Sequence, residues 1–145
     1  MNAPADNYVR SARLIRVIDG DTLRVEIDQG SRQRFECDLR LRHVDTPEKR
    51  GPESPAGRFV HGQVIRWLSE RMAFPLAVKT HKWQAGKFGR YLAEVWCGDE
   101  CLNDWLIDSG YGWPMDERGS VTVPRDIETL SIPEWIKQLC RENVA

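Results

Sequence analysis

Apolar residues recur at every second position in the first third of the chain and then switch to a spacing of three and four. Leu23, Val25 and Ile27 alternate with Arg24 and Glu26, and Phe35, Cys37, Leu39 and Leu41 alternate with Glu36, Asp38 and Arg40. Alternation of this kind belongs to strands with one face buried. With Leu14 to Ile18 ahead of them and Gln29-Gly30-Ser31 as the turn, residues 13–44 predict a three-stranded antiparallel meander. Ala56, Val60, Val64, Leu68 and Met72 then follow at four-residue intervals, with Phe59 and Trp67 beside them. This stripe predicts a helix of about 54–72, preceded by Gly51-Pro52 and stopped before Pro75.

The rest of the chain reads as a hairpin and two helices. Residues 76–83 and 89–96 predict strands joined around Ala85-Gly86, and Leu102, Trp105 and Leu106 predict a short helix ending at Gly110. Pro133 opens a last helix carrying Ile132, Trp135, Ile136 and Leu139, whereas Asp116 to Ser131 has no period and is expected to be a loop. Five strands with a helix between the third and fourth match the OB-fold, an α+β, Greek-key five-stranded β-barrel often used on nucleic acid.

At 145 residues with 41% hydrophobic content, the chain can bury one core, so a single domain is expected. Residues 1–12 read as a tail, 13–113 as the barrel domain, and 114–145 as a loop and C-terminal helix packed on it. The opening MNAPADNYVRSAR is charged, with no apolar run for a secretory signal or an anchor. The expectation is a cytoplasmic, monomeric protein that does not associate with membranes. Cys37, Cys97, Cys101 and Cys140 have no framework spacing and read as thiols. Cys97-x-x-x-Cys101 is open to a second reading as half a zinc site, but no second ligand pair stands at suitable spacing.

A net charge of −1 conceals an asymmetry. Residues 1–93 hold 17 basic against 11 acidic side chains, whereas 94–145 hold 4 against 11. Between Arg71 and Ala93 there is no acid, and Arg71, Lys79, Lys82, Lys87 and Arg90 all fall there. A local basic surface facing phosphates is compatible with this pattern, and so is an ordinary solvated face.

Two acidic turns carry the candidate chemistry. Asp19-Gly20-Asp21-Thr22 lies where the first strand turns into the second, and Asp45-Thr46-Pro47-Glu48 ends the third. Each alone is sufficient as turn chemistry. Together they say more, because strand parity puts Asp21 on the side of Leu23 and Val25, and Asp45 on the side of Leu39 and Leu41. Two carboxylates at the rim of an apolar barrel repel unless a cation sits between them. Carboxylate and carbonyl oxygens on irregular loops suit Ca²⁺ better than Mg²⁺. Arg40 and Arg90 could supply what a phosphodiester needs, a planar guanidinium that meets two oxygens at once, although either taken singly reads by default as an ordinary surface arginine.

The stretches IDGDTLRVEI, LRLRHVDTPE, GPE, GKFGRYLAEV and CLNDWLIDSGYG resemble, in order and in spacing, the motifs of the staphylococcal (micrococcal) nuclease family. The resemblance covers roughly residues 13–113. It implies an OB-fold endonuclease of DNA or RNA that leaves 3′-phosphate ends. It further implies Ca²⁺ held by Asp21, Asp45 and the carbonyl of Thr46, with Asp19 as an outer carboxylate. Glu48 would orient or deprotonate the attacking water, and Arg40 and Arg90 would neutralise the phosphate. Lys49, Lys82, Lys87 and Phe88 are expected to contact the substrate.

The chain departs from the family pattern in four places. Phe88 replaces a tyrosine that contacts a terminal phosphate, and the loop after Glu48 reaches Gly51-Pro52-Glu53 almost at once. Pro114, Met115, Asp116 and Glu117 stand where an aromatic pair packs on the substrate base, and the C-terminal segment lacks the usual charged helix. His81 and Trp83 read as a stacking platform or as strand residues, and His43 as a buried core histidine. The rival expectation is an OB-type module that binds nucleic acid or protein without cutting.

Overall fold

In the computed structural model, which describes residues 7–73, 75–81 and 90–144 (Arg90 and Val144 by backbone alone), both alternating segments are strands. They are β2 (Thr22–Gly30) and β3 (Gln33–Leu41), preceded by β1 (Val9–Asp19). A short β4 (Val44–Asp45) and a 3₁₀ turn (Gly51–Glu53) lead into α1 (Ser54–Ser69). β5 (Leu76–His81), β6 (Arg90–Cys97) and β7 (Glu100–Cys101) follow, then α2 (Leu102–Asp108), β8 (Trp113–Pro114), a 3₁₀ turn (Ile127–Thr129) and α3 (Glu134–Val144).

Five strands close into a barrel. The sheet order is β3-β2-β1-β5-β6-β7, and a parallel pairing of β3 with β6 joins the ends, with Leu39 opposite Tyr91 and Leu41 opposite Ala93. β4 and β8 form a separate two-stranded ladder. The inward positions are the ones alternation marks: Leu23, Val25, Leu39, Leu41, Val78, Ala93 and Val95 are fully buried. α1 covers the barrel with Ala56, Val60, Val64, Trp67 and Leu68, and α2 adds Leu102 and Leu106. Each buried Leu or Val contributes about 1.5–3 kcal/mol of transfer free energy, so this interior is the main source of stability. The fold is the expected α+β barrel with three helices.

Several boundaries differ from the expectation, each for a local reason. β1 begins at Val9, because Val9–Ala12 pair with β5 through backbone groups that need no apolar side chains. Register irregularities at Leu14/Arg16 and Val17/Asp19 let this one strand bend between two neighbours. The β2–β3 hairpin turns at Ser31-Arg32, both at positive φ (53° and 61°), which matches the twist of the flanking strands. α1 stops at Ser69, where Arg71 donates to the Trp67 carbonyl (2.9 Å) and lies over the Trp67 ring, leaving Met72 in solvent.

His43 is a correction. It is exposed at φ 69° in the turn after β3, since the alternation ends at Leu41. Phe35 lies at the open end of the barrel, edge-on to Tyr91 at 5.8 Å. The connection around Ala85-Gly86, with Trp83, lies outside the described residues. All four cysteines are buried free thiols. Burial pushes the Cys37 thiol up to about 11 and raises Cys97 and Cys101 as well. Among the described residues no helix is long and apolar enough to cross a membrane.

Candidate active site

The β1–β2 turn sits against the loop after β4. Gly20 has no room for a side chain, since a Cβ there would lie 2.8 Å from both Thr46 Oγ1 and Val60 Cγ1. That close approach delivers Asp21 to the loop. Asp21 is buried; its Oδ2 accepts from Thr46 N (2.9 Å) and its Oδ1 from Thr22 Oγ1 (3.1 Å). Its carbonyl accepts from Leu41 N at 2.8 Å. Asp45 is held from the other side, paired with Trp113 in the β4–β8 ladder.

Arg40 lies between the two carboxylates. Its Nη2 is 3.3 Å from Asp21 Oδ2 and 3.2 Å from Asp45 Oδ1, and its Nη1 donates to the Val44 carbonyl at 2.9 Å. Asp21 and Asp45 therefore converge on one point, and the charge between them is a guanidinium. Pairing and backbone hydrogen bonds are what allow three such groups to be largely buried together.

Glu48 stands at the rim. Its N–H donates to Glu53 Oε2 (2.9 Å), and its backbone rests on Gly57 of α1. Burial raises its carboxyl above the usual range, with Asp21, Asp45 and Asp19 adding to the push and Arg125 opposing it. A cleft of about 220 Å³ is lined by Ile18, Asp19, Glu48, Lys49 and Arg50, with Lys49 Nζ 4.0 Å from Asp19 Oδ1. The backbone of Arg90 pairs with Asp38, two positions before Arg40 pairs with Leu92. The Arg90 side chain and all of Lys82, Lys87 and Phe88 lie outside the described residues.

Arg125 is the residue that sequence reasoning missed. Its Nε donates to Asp45 Oδ2 (2.8 Å), its Nη2 to the Thr46 carbonyl (3.2 Å) and its Nη1 to Glu53. Glu48 Oε1 is 3.8 Å from Nη2, and the guanidinium lies over the Trp113 ring at 4.5 Å. Burial alone would lower its pKa; the hydrogen bonds to Asp45 and Glu53 reverse that and raise it. An arginine in an aperiodic segment carries no sequence signal. The one hint was Glu53 in GPE, an acid in need of a partner.

The oxygens here suit a hard cation. Asp21 and Asp45 offer carboxylates, Thr46 offers a carbonyl, and its buried Oγ1 finds no hydrogen-bond partner among the described residues. Among those residues no three His, Cys, Asp or Glu side chains gather around a point, so the set needs the backbone carbonyl to be complete.

Residues 38–131 match the family of staphylococcal nuclease homologues, a span that holds Arg40, Asp45, Thr46, Glu48, Arg90 and Arg125 and starts beyond Asp21. A thermonuclease of Staphylococcus hyicus is 36% identical over 101 residues, 68% of this chain and 55% of the relative. A thermonuclease of Staphylococcus intermedius is 35% identical over 66% of this chain and 54% of the relative. An uncharacterized endonuclease of Escherichia coli O157:H7 is 28% identical over 72% of this chain and 61% of the relative. The chain thus spans little more than half the length of the curated relatives it matches. A match over well more than half of its residues, including the second of the two acidic turns, means that the chain belongs to the staphylococcal nuclease homologue family.

Proposed function

We propose that the chain is a calcium-dependent endonuclease that hydrolyses the phosphodiester backbone of DNA or RNA and leaves 3′-phosphate ends. The observation that carries this reading is the convergence of Asp21 and Asp45 on Arg40, with Glu48 at the rim of the same site. Asp21, Asp45 and the Thr46 carbonyl would hold the cation, and Asp19 would support it from the neighbouring cleft. When bound, that ion neutralises phosphate charge and favours ionisation of a nearby water.

The chain's own residues then have separate tasks. Glu48 takes a proton from the attacking water as the oxygen–phosphorus bond forms. Its raised pKa suits a base that must later give the proton up. The bond from phosphorus to the 5′ oxygen breaks, and that oxygen leaves protonated, the proton returning through solvent. Arg40 and Arg90 would neutralise the phosphoryl oxygens, whose negative charge is greatest in the transition state. Arg40 is also committed to the two carboxylates, a pairing that a bound cation would share. Lys49, Lys82, Lys87 and Phe88 would line the path of the strand. Family membership and the thermonuclease and endonuclease relatives support the reading.

The test is to incubate the protein with end-labelled single-stranded DNA and RNA in Ca²⁺, with and without EGTA. Cleavage should require Ca²⁺, and the products should resist polymerase extension until treated with a phosphatase. Binding of the strand without any cleavage would replace this reading with that of a non-catalytic binding module.

A further inference from the structure

We infer that Arg125 sets the site's affinity for its cation, acting as an internal counter-charge seated on two of the three oxygens that the ion would use. The inference rests on the calcium reading above. Arg125 donates to Asp45 Oδ2 and to the Thr46 carbonyl, while Arg40 Nη2 lies beside Asp45 Oδ1. Both oxygens of Asp45 are therefore engaged by guanidinium groups.

A divalent ion at those oxygens competes with Arg125 for the same lone pairs and stands within a few ångströms of a like charge. Arginine cannot relieve this by shedding its proton. The side chain is 30% exposed, so solvent screens the repulsion only in part. Arg125 also has somewhere to stay. Glu53 and the face of Trp113 hold it without belonging to the donor set, and Trp113 is fixed by donating its Nε1 hydrogen to Thr129 Oγ1 (3.2 Å) and the Asp126 carbonyl (3.3 Å). Calcium entry then shifts Arg125 onto Glu53 and Trp113 and off Asp45 and Thr46. By linkage, whatever weakens Arg125's hold on those oxygens strengthens calcium's.

This sign separates the inference from a purely structural role. If Arg125 only aligned Asp45 and Thr46, its loss would weaken calcium binding. The experiment measures calcium affinity by isothermal titration calorimetry, and Tm in EDTA and in saturating Ca²⁺, for the full chain and three variants. Arg125→Gln should bind Ca²⁺ roughly 5- to 150-fold tighter, the usual range of such couplings. Its Tm should fall in EDTA and rise more on adding Ca²⁺. Arg125→Lys keeps the charge but cannot span three oxygens, so its affinity should fall between the two, and it carries the test if Arg125→Gln does not fold in EDTA. Arg141→Gln, altered at an exposed arginine paired with Glu128 and Glu134, should keep the wild-type affinity.

Wild-type binding with equal or weaker binding by both Arg125 variants overturns the inference and leaves the calcium site standing. No binding by any form overturns both.

Discussion

Gly57 of α1 lies directly against the backbone of Glu48: a methyl group on its Cα would collide with the Glu48 carbonyl and come within 2.7 Å of Lys49 N. The helix and the loop that carries Glu48 are therefore packed backbone against backbone. Gly57→Ala would ordinarily stabilise a helix interior by about 1 kcal/mol. Here it should instead cost about 1–3 kcal/mol through overpacking against backbone. It should also lower the cleavage rate, because the loop can relieve the clash only by displacing Glu48. A Tm at or above wild type would refute this.

On the proposed mechanism Glu48→Gln removes the proton acceptor, and with the side chain two-thirds exposed (66%) it otherwise loses only a 3.8 Å pairing with Arg125. Cleavage of single-stranded DNA in Ca²⁺ should fall about 10²- to 10⁴-fold. Strand binding by fluorescence polarisation and the urea midpoint should stay near wild type.

Arg40→Gln leaves two converging carboxylates without their shared partner, on a side chain only 16% exposed. Breaking a buried pair from one side costs about 3–5 kcal/mol, to be read from urea unfolding in EDTA. Excess Ca²⁺ should recover part of the loss, because a cation restores charge balance between Asp21 and Asp45.

Asn103 has no part in the chemistry and should still be costly to lose. Buried in α2, it accepts from Val95 N (3.0 Å) and donates to the carbonyls of Arg42 and Ala93 (both 2.9 Å), next to where β3 meets β6. Asn103→Ala removes a partner from the Val95 N–H and the Arg42 carbonyl, while the Ala93 carbonyl keeps the Arg42 N–H (2.9 Å), and should cost on the order of 3 kcal/mol in urea unfolding.

Alkaline pH should destabilise the fold through its thiols. Unfolded cysteines ionise near pH 8.5, whereas burial holds the folded Cys37 thiol protonated up to about 11. Above pH 8.5 the unfolded state therefore binds fewer protons, and stability falls as pH rises until the folded thiol ionises as well. Cys97 and Cys101 shift in the same direction and add to the slope. Urea midpoints from pH 8 to 10 should decline, and Cys37→Ala should flatten the decline.

The legible parts were those in which side-chain periodicity and burial coincide. Leu23 to Ile27 and Cys37 to Leu41 announced their strands, and parity along β2 put Asp21 on the rim; Asp45 meets it at Arg40 through the separate β4–β8 ladder, since the alternation of β3 ends at Leu41. Val9–Ala12 went unseen because its two apolar residues stand three apart, with no period-two alternation, and only Ala12 is buried. His43 was misjudged because parity was carried two residues past the end of β3. Arg125 was invisible for a third reason. Its partners lie about 70–80 residues away in sequence, and only the loop's packing on Trp113 brings them together.

The parallel pairing of β3 with β6 also bears on when the chain becomes competent during synthesis. A nascent chain that has emerged only through β5 already holds Asp19, Asp21, Arg40, Asp45 and Glu48, yet β3 still lacks the partner that closes the barrel. Loop closure over about fifty residues makes that contact a late one. Arg90 arrives with it, and Arg125 later still. Translation order thus separates Asp19, Asp21, Arg40, Asp45 and Glu48 from Arg90 and Arg125 until synthesis has passed those two positions.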